Sequence, residues 1–103
     1  MLRGKVFEPT LTGIPYRIFI EGLKSAVTKA AYTFAIQKYM KYLIDNPNDL
    51  LKYQDNSKFI QNQIIDYLIS LKNPPVSLRY ATRSQYLAAI MTFYDLNEVI
   101  LCM

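Results

Sequence analysis

Two segments of the chain carry the same pattern of hydroxyl, cationic, aromatic and aliphatic residues. The segment Thr28-Lys29-x-x-Tyr32-x-x-Ala35-Ile36-x-x-Tyr39 is matched 54 positions later (28 to 82) by Thr82-Arg83-x-x-Tyr86-x-x-Ala89-Ile90-x-x-Phe93. In each copy the apolar positions advance by four and then three, which is the spacing of one face of an α-helix. The pattern predicts two similar helices, each with an apolar stripe for a core and a hydroxyl followed by a cation in its first turn.

Apolar periodicity elsewhere predicts two more helices, so we expect an all-α protein with four helices. Ser25, Ser57 and Ser77 are the expected N-caps of helices two, three and four, because a serine hydroxyl can accept a hydrogen bond from a first-turn N–H. Residues 49–56 are expected to be a connection with one helical turn around Leu50 and Leu51. No segment alternates with period two for long enough to predict a strand. The predicted helices cover about residues 14–23, 26–44, 57–72 and 78–96.

Length and composition favour one small domain. The chain has 103 residues, 51% of them hydrophobic, which is enough for a single compact core at residues 14–101 after an arm at residues 1–13. Its one cysteine, Cys102, can form no internal disulfide. No apolar run approaches the ~20 residues of a membrane span, and no signal-peptide pattern follows Met1. We expect a cytoplasmic protein with no membrane partner, from a prokaryote or a viral element.

Several classes of chemistry lack their usual residues in this sequence. There is no histidine, a single cysteine and only 3 isolated glycines, so neither a zinc site nor a phosphate-binding glycine loop is predicted. The acids have no metal-ligand spacing, and a serine nucleophile would lack a base. We therefore expect no metal, no cofactor and no catalysis by this chain on its own.

The positive charge is concentrated on the repeated elements. The formal net charge is +4, but residues 17–41 hold five cations and one acid, and residues 72–83 hold three cations and no acid. The intervening segment and the C-terminal end are acidic on balance. This distribution places the cations on helices two and four and in the turn before helix four, where an anionic partner would be attracted.

A helix N-terminus that carries hydroxyls and cations is suited to binding phosphate, because its first N–H groups are unpaired and the helix dipole is positive there. Both repeated helices begin in this way. Serines at helix starts are also ordinary caps, and lysines on an exposed face such as Lys41 are commonly just solvated, so both explanations stay open for any single residue. The candidate DNA-binding residues are Ser25, Thr28, Lys29, Ser77, Arg79, Thr82 and Arg83.

At these residues the chain resembles the SAM-like core-binding domain of tyrosine recombinases, the phage integrase family. The likeness covers about residues 14–100, and the stretch Asp66–Leu71 also resembles the family. Two departures are Pro74-Pro75, where a glycine is common, and Tyr39, where phenylalanine is frequent. The matching positions in the first motif are Phe19, Ser25, Thr28, Tyr32, Ile36, Tyr39 and Tyr42, and those in the second are Ser77, Thr82, Tyr86, Ile90, Phe93 and Tyr94.

The resemblance implies a compact, orthogonal four-helix bundle that forms half of a clamp on double-stranded DNA at a recombination site. It also implies contacts between protomers on DNA and a C-terminal catalytic domain as partner, which is expected to be absent from this chain. In this family that domain supplies the nucleophilic tyrosine, so none of the 9 tyrosines here is assigned that role.

Two other functions remain open from the sequence. A helical protein–protein interaction module without DNA binding would use the same bundle. A helix-turn-helix regulator is a weaker alternative, because helices of this length around a double-proline turn fit it poorly.

Overall fold

Four α-helices account for most of residues 9–74 and 76–101, which are the part of the chain that this computed structural model describes. They span Ile14–Glu21 (α1), Ala26–Leu43 (α2), Ser57–Lys72 (α3) and Tyr80–Leu96 (α4). A single 3₁₀ turn, Asp49–Leu51, lies between α2 and α3, where the sequence predicts one helical turn. No strand occurs within the described ranges. The all-α class and the four predicted helices are confirmed.

The starts of the first three helices follow from local residues. α1 begins after Gly13, whose φ of 98° lies in the left-handed region that favours glycine. Ser25 caps α2 as predicted, since its Oγ accepts from the Thr28 N–H at 3.4 Å. The prediction that Ser57 caps α3 is wrong. Asn56 is the cap, because its Oδ1 accepts from the Phe59 N–H at 3.1 Å and Ser57 is already helical.

The start of α4 also differs from the prediction. Ser77 does not cap the helix, which begins at Tyr80 and has no side-chain cap at Arg79. The Leu78 N–H donates to the Leu71 carbonyl at 2.7 Å, so the chain first returns to the end of α3. Arg79 is then extended, with φ −65° and ψ 155°, and only after it can the helix start.

α4 is the central helix of the bundle. It packs against α1, α2 and α3, and most extensively against α2. Three of the four equivalent apolar positions are buried in both repeated segments, and the first aromatic of each, Tyr32 and Tyr86, is half-buried against them, which confirms that the aromatic-aliphatic part of the pattern builds the core shared by α2 and α4. These core positions are Ala35, Ile36 and Tyr39 in α2 and Ala89, Ile90 and Phe93 in α4.

The predicted stripes of α1 and α3 also face this core. Phe19 and Leu23 are buried, as are Ile60, Ile64 and Leu71. Periodicity alone missed some core members, because their side chains are partly polar or lie off the main stripe. The additional buried residues are Met40, Leu50, Tyr67, Tyr94 and Val99.

α2 and α4 do not run antiparallel. The Phe34 and Tyr86 rings meet with centroids 6.4 Å apart, and further along both helices Tyr39 and Tyr94 lie close together in the core without a hydrogen bond between them. An antiparallel pair that matched Phe34 with Tyr86 would place Tyr39 and Tyr94 about 20 Å apart along the axis. Earlier residues therefore meet earlier residues along the two helices, which excludes an antiparallel pair.

The part of the predicted arm that the structure describes, residues 9–13, is attached to the bundle. Pro9 is buried, the Thr10 N–H donates to Asn46 Oδ1 at 2.7 Å, and Leu11 packs against the core. Residues 1–8 of that prediction lie outside the described residues. The Cα radius of gyration, 13.7 Å, is close to the about 13 Å expected for a compact chain of this length.

Candidate DNA-binding surface

The first turn of α2 is built around Ser25. Besides its side-chain bond to Thr28, the Ser25 carbonyl accepts from the Lys29 N–H at 2.9 Å. Ser25 is exposed, whereas Thr28 and Lys29 are half-buried beside the core. The predicted hydroxyl-cation pair thus lies at the start of a capped helix, with Ser25 Oγ already used as an acceptor.

The start of α4 is held by its own arginine. Arg83 Nε donates to the Leu78 carbonyl at 3.2 Å, and its guanidinium lies 5.7 Å from the centre of the Tyr80 ring. These contacts tie the first turn of α4 to the segment before it and give Arg83 a structural role, while the first N–H groups of α4 have no side-chain acceptor at the N-cap. Arg79 is exposed, Thr82 is half-buried, and Ser77 is exposed before the helix with a φ of 48°.

Neither first turn contains an acid. Acids near a helix N-terminus and cations near its C-terminus are the arrangement that the helix dipole stabilises, by about 0.3–1 kcal/mol each. Lys29 and Arg83 are placed against this preference, and so is Lys58 in the first turn of α3, although Asp55 lies just ahead of it. The helix dipole therefore does not explain the cations that begin α2 and α4, whereas a bound anion would be stabilised by them.

The two starts lie close to a common point of the bundle. From the Phe34–Tyr86 contact, the beginning of α2 is about 12 Å away along its axis and that of α4 about 9 Å. Both starts precede this contact along their own helices. Among the described residues no hydrogen bond or ion pair joins the α2 set to the α4 set.

The structure adds cations that the candidate site did not include. Lys72 lines a shallow depression of about 230 Å³ together with Arg83, and Lys38 and Lys41 line a larger groove beside α2. Lys41 and Lys72 are in the last turns of their helices, where the helix dipole already favours a cation. The signal for Lys72 was present in the acid-free segment 72–83 of the sequence.

The described residues do not offer a metal or nucleophile site of the usual kind. They contain no cluster of three or more His, Cys, Asp or Glu side chains that could hold a metal ion. Burial raises the pKa of Tyr39, Tyr67 and Tyr94 well above the ordinary value of 10.0, so these phenols keep their protons.

No helix in the described ranges combines the length and hydropathy needed to cross a membrane. Comparison of the chain with protein-family models, with curated proteins and with solved structures finds no match.

Proposed function

We propose that this chain is a DNA-binding domain of the tyrosine-recombinase core-binding type. It holds duplex DNA at a recombination site, adopts the SAM-like orthogonal bundle of that family, and leaves strand cleavage to a separate catalytic domain. The observation that carries the proposal is the pairing of α2 and α4. These helices pack together with the Phe34 and Tyr86 rings in contact, and each begins with an acid-free turn that contains a cation.

The proposed contacts are mainly to phosphates. The unpaired first-turn N–H groups and the positive end of each helix dipole attract an anion, and Thr28 and Thr82 can donate from their hydroxyls. Lys29 and Arg79 add positive charge that is available for a phosphate, since neither forms an ion pair among the described residues. Arg83 contributes through the guanidinium nitrogens that its bond to Leu78 leaves available. Such backbone contacts position a protein on DNA without reading its sequence.

The test is fluorescence anisotropy with a labelled duplex of about three helical turns, measured across a salt series. Binding should weaken steeply as salt rises, because each neutralised phosphate releases condensed counterions. The double variant Lys29→Ala/Arg79→Ala should bind about tenfold or more weakly at low salt and reduce the salt slope by about 2. Arg83 is left unchanged, because its substitution would also disturb the start of α4.

The matched control is Lys52→Ala/Lys58→Ala, which removes the same charge from the 49–56 connection and the start of α3. We expect the control to change the affinity by less than about threefold, since distant charges act only through a screened field. Equal losses in the two double variants would contradict the proposed site. Absence of salt-dependent DNA binding in the unmodified chain would contradict the function and favour the interaction module without DNA binding.

A further inference from the structure

A groove of about 560 Å³ runs between α2, α3 and α4, and the turn before α4 closes one of its sides. Its floor includes Tyr67 and Leu71, which are buried members of the core. None of its lining residues belongs to the candidate DNA-binding set. The groove is lined by Phe34, Lys38, Lys41, Tyr42, Tyr67, Ser70, Leu71, Val76, Leu78 and Tyr86.

The walls of the groove leave large apolar side chains open to solvent. Phe34 is 52% exposed, Tyr42 46% and Val76 49%. Single exposed apolar residues are normal on a protein surface, but three of them around one concavity mark a surface suited to a partner. The hydroxyl of Ser70 donates to the Tyr67 carbonyl at 2.6 Å and is therefore already used. The surface of the groove is therefore mainly apolar, and it has few polar groups that could orient a small molecule.

The charged residues that line the groove are all positive. Lys38 and Lys41 lie on its α2 side, and no acid lines it. The whole of α2, Ala26–Leu43, contains no acid. An occupant that complements this surface must carry apolar side chains for the groove and carboxylates beside them.

The ring geometry disfavours nucleobases as that occupant. Lys38 Nζ lies 5.2 Å from the centre of the Phe34 ring and covers one of its faces. Phe34 and Tyr86 meet at 69°, and Tyr42 and Tyr67 at 52°, so the rings are tilted against each other and present no parallel platform for stacked bases. An amphipathic helix needs no such platform, because it inserts apolar anchors spaced three and four residues apart.

From the apolar lining of the groove and the positive charge beside it, we infer that the groove between α2, α3 and α4 docks an acidic amphipathic helix of a protein partner. Its apolar anchors cover Phe34, Tyr42 and Val76, and its flanking carboxylates approach Lys38 and Lys41. The inference does not depend on DNA binding, since it uses none of the proposed DNA contacts.

The probe is a synthetic helical peptide of about 16 residues with leucines spaced four and three apart and glutamates beside them. It is titrated into the full-length, isotope-labelled chain and followed by amide NMR shifts. We expect binding on the order of 10–100 μM, with shifts concentrated at the groove residues. A peptide of the same composition with the leucines replaced by serine, and another with the glutamates replaced by lysine, should each bind at least about tenfold more weakly.

Two variants with matched controls locate the binding. Val76→Asp should weaken the acidic peptide at least about tenfold, whereas Ile69→Asp, at a position 51% exposed and outside the groove, should change it less than about twofold. The double variant Lys38→Glu/Lys41→Glu should also weaken binding, and Lys24→Glu/Lys58→Glu should do so much less. This second pair keeps the test valid if the NMR spectrum shows that Val76→Asp does not fold.

Three results would overturn the inference. They are equal binding of the glutamate and lysine peptides, equal loss in Val76→Asp and Ile69→Asp, or groove shifts caused by single-stranded DNA but not by the acidic peptide. Duplex DNA binding is measured on the same samples. Its loss in Lys29→Ala/Arg79→Ala, with peptide binding retained, would show that the two surfaces act separately.

Discussion

Two tyrosine hydroxyls in the core have no partner within the described part of the chain. Tyr39 of α2 and Tyr94 of α4 are fully buried, and neither Oη forms a hydrogen bond there. An unpaired buried polar group costs about 1–3 kcal/mol, because its bonds to water are lost without replacement. Burial also raises the pKa of both phenols, so both stay neutral at ordinary pH.

Removing these hydroxyls should therefore stabilise the fold. Tyr39→Phe and Tyr94→Phe are each expected to raise the free energy of unfolding by up to about 1 kcal/mol, measured by urea denaturation. Tyr32→Phe, at a half-buried position, is the control and should change it little. A loss in each single variant that the double variant restores would instead show that the two hydroxyls bond to each other.

Asp45 should make stability depend on pH. Burial raises the pKa of its carboxyl above the ordinary 3.8, Lys52 at 3.8 Å opposes this shift, and Asp49 adds to it. Because the folded state holds this proton more tightly than the unfolded chain, the folded state is favoured at low pH. The favourable contribution is lost as the pH rises through the raised pKa.

Asp45→Asn is accordingly expected to increase the free energy of unfolding near neutral pH and to lose that advantage below pH 3.8. Urea denaturation at a series of pH values measures both effects, and Asp66→Asn, at an exposed position, is the control. A loss of stability near neutral pH would show that the pair with Lys52 outweighs the burial of the carboxylate.

Among the elements, the helix starts are secured in different ways. α2 has a long serine cap bond of 3.4 Å, α3 has a shorter asparagine cap bond of 3.1 Å, and α4 relies on Arg83 and the Leu78 carbonyl. The sequence predicts that helices start near Ser25 and Ser57, but it does not decide between Asn56 and Ser57 as the cap. Both residue types are good caps, and the choice depends on which residue leaves helical geometry.

The Asn56→Ala and Ser57→Ala pair tests this assignment. Asn56→Ala should lower the free energy of unfolding by about 1 kcal/mol, because the Phe59 N–H loses its acceptor. Ser57→Ala should cost less than about 0.5 kcal/mol, since Ser57 is in the first helical turn and its hydroxyl is not the cap. Thermal or urea unfolding of the two variants separates them, and a reversed order would restore Ser57 as the cap.

For the whole molecule, the packing of α4 determines how the candidate surfaces are arranged. α4 contacts the other three helices, and its contact with α2 through Tyr86 and Phe34 brings the two cationic first turns near one point of the bundle. The groove arises from the same packing, because its walls come from α2, α3, α4 and the turn at Val76. The two proposed binding surfaces are thus products of one arrangement that use different residues.

The local structure around the candidate residues was predictable from the sequence where it depended on residues close together in the chain. The positions of Ser25, Thr28 and Lys29 in the first turn of α2 follow from helical spacing and a cap signal, and the structure agrees. Ser77 was wrongly predicted to cap α4. The Leu78 N–H bonds to the Leu71 carbonyl on the other side of the double proline, and this contact delays the start of the helix. The bond from Arg83 to Leu78 was missed for the same reason, since it depends on that delayed start.

The sequence by itself determined the all-α class, the four helices and most of their core stripes, because these depend on periodicity within about 20 residues of chain. It also determined that positive charge is concentrated in residues 17–41 and 72–83, which include the first turns of both repeated helices. Only the tertiary structure decided which parts of α2 and α4 meet, the unpaired hydroxyls of Tyr39 and Tyr94, and the groove beside Phe34. Each of these depends on which residues far apart in the sequence contact each other, and helical spacing carries no information about such contacts.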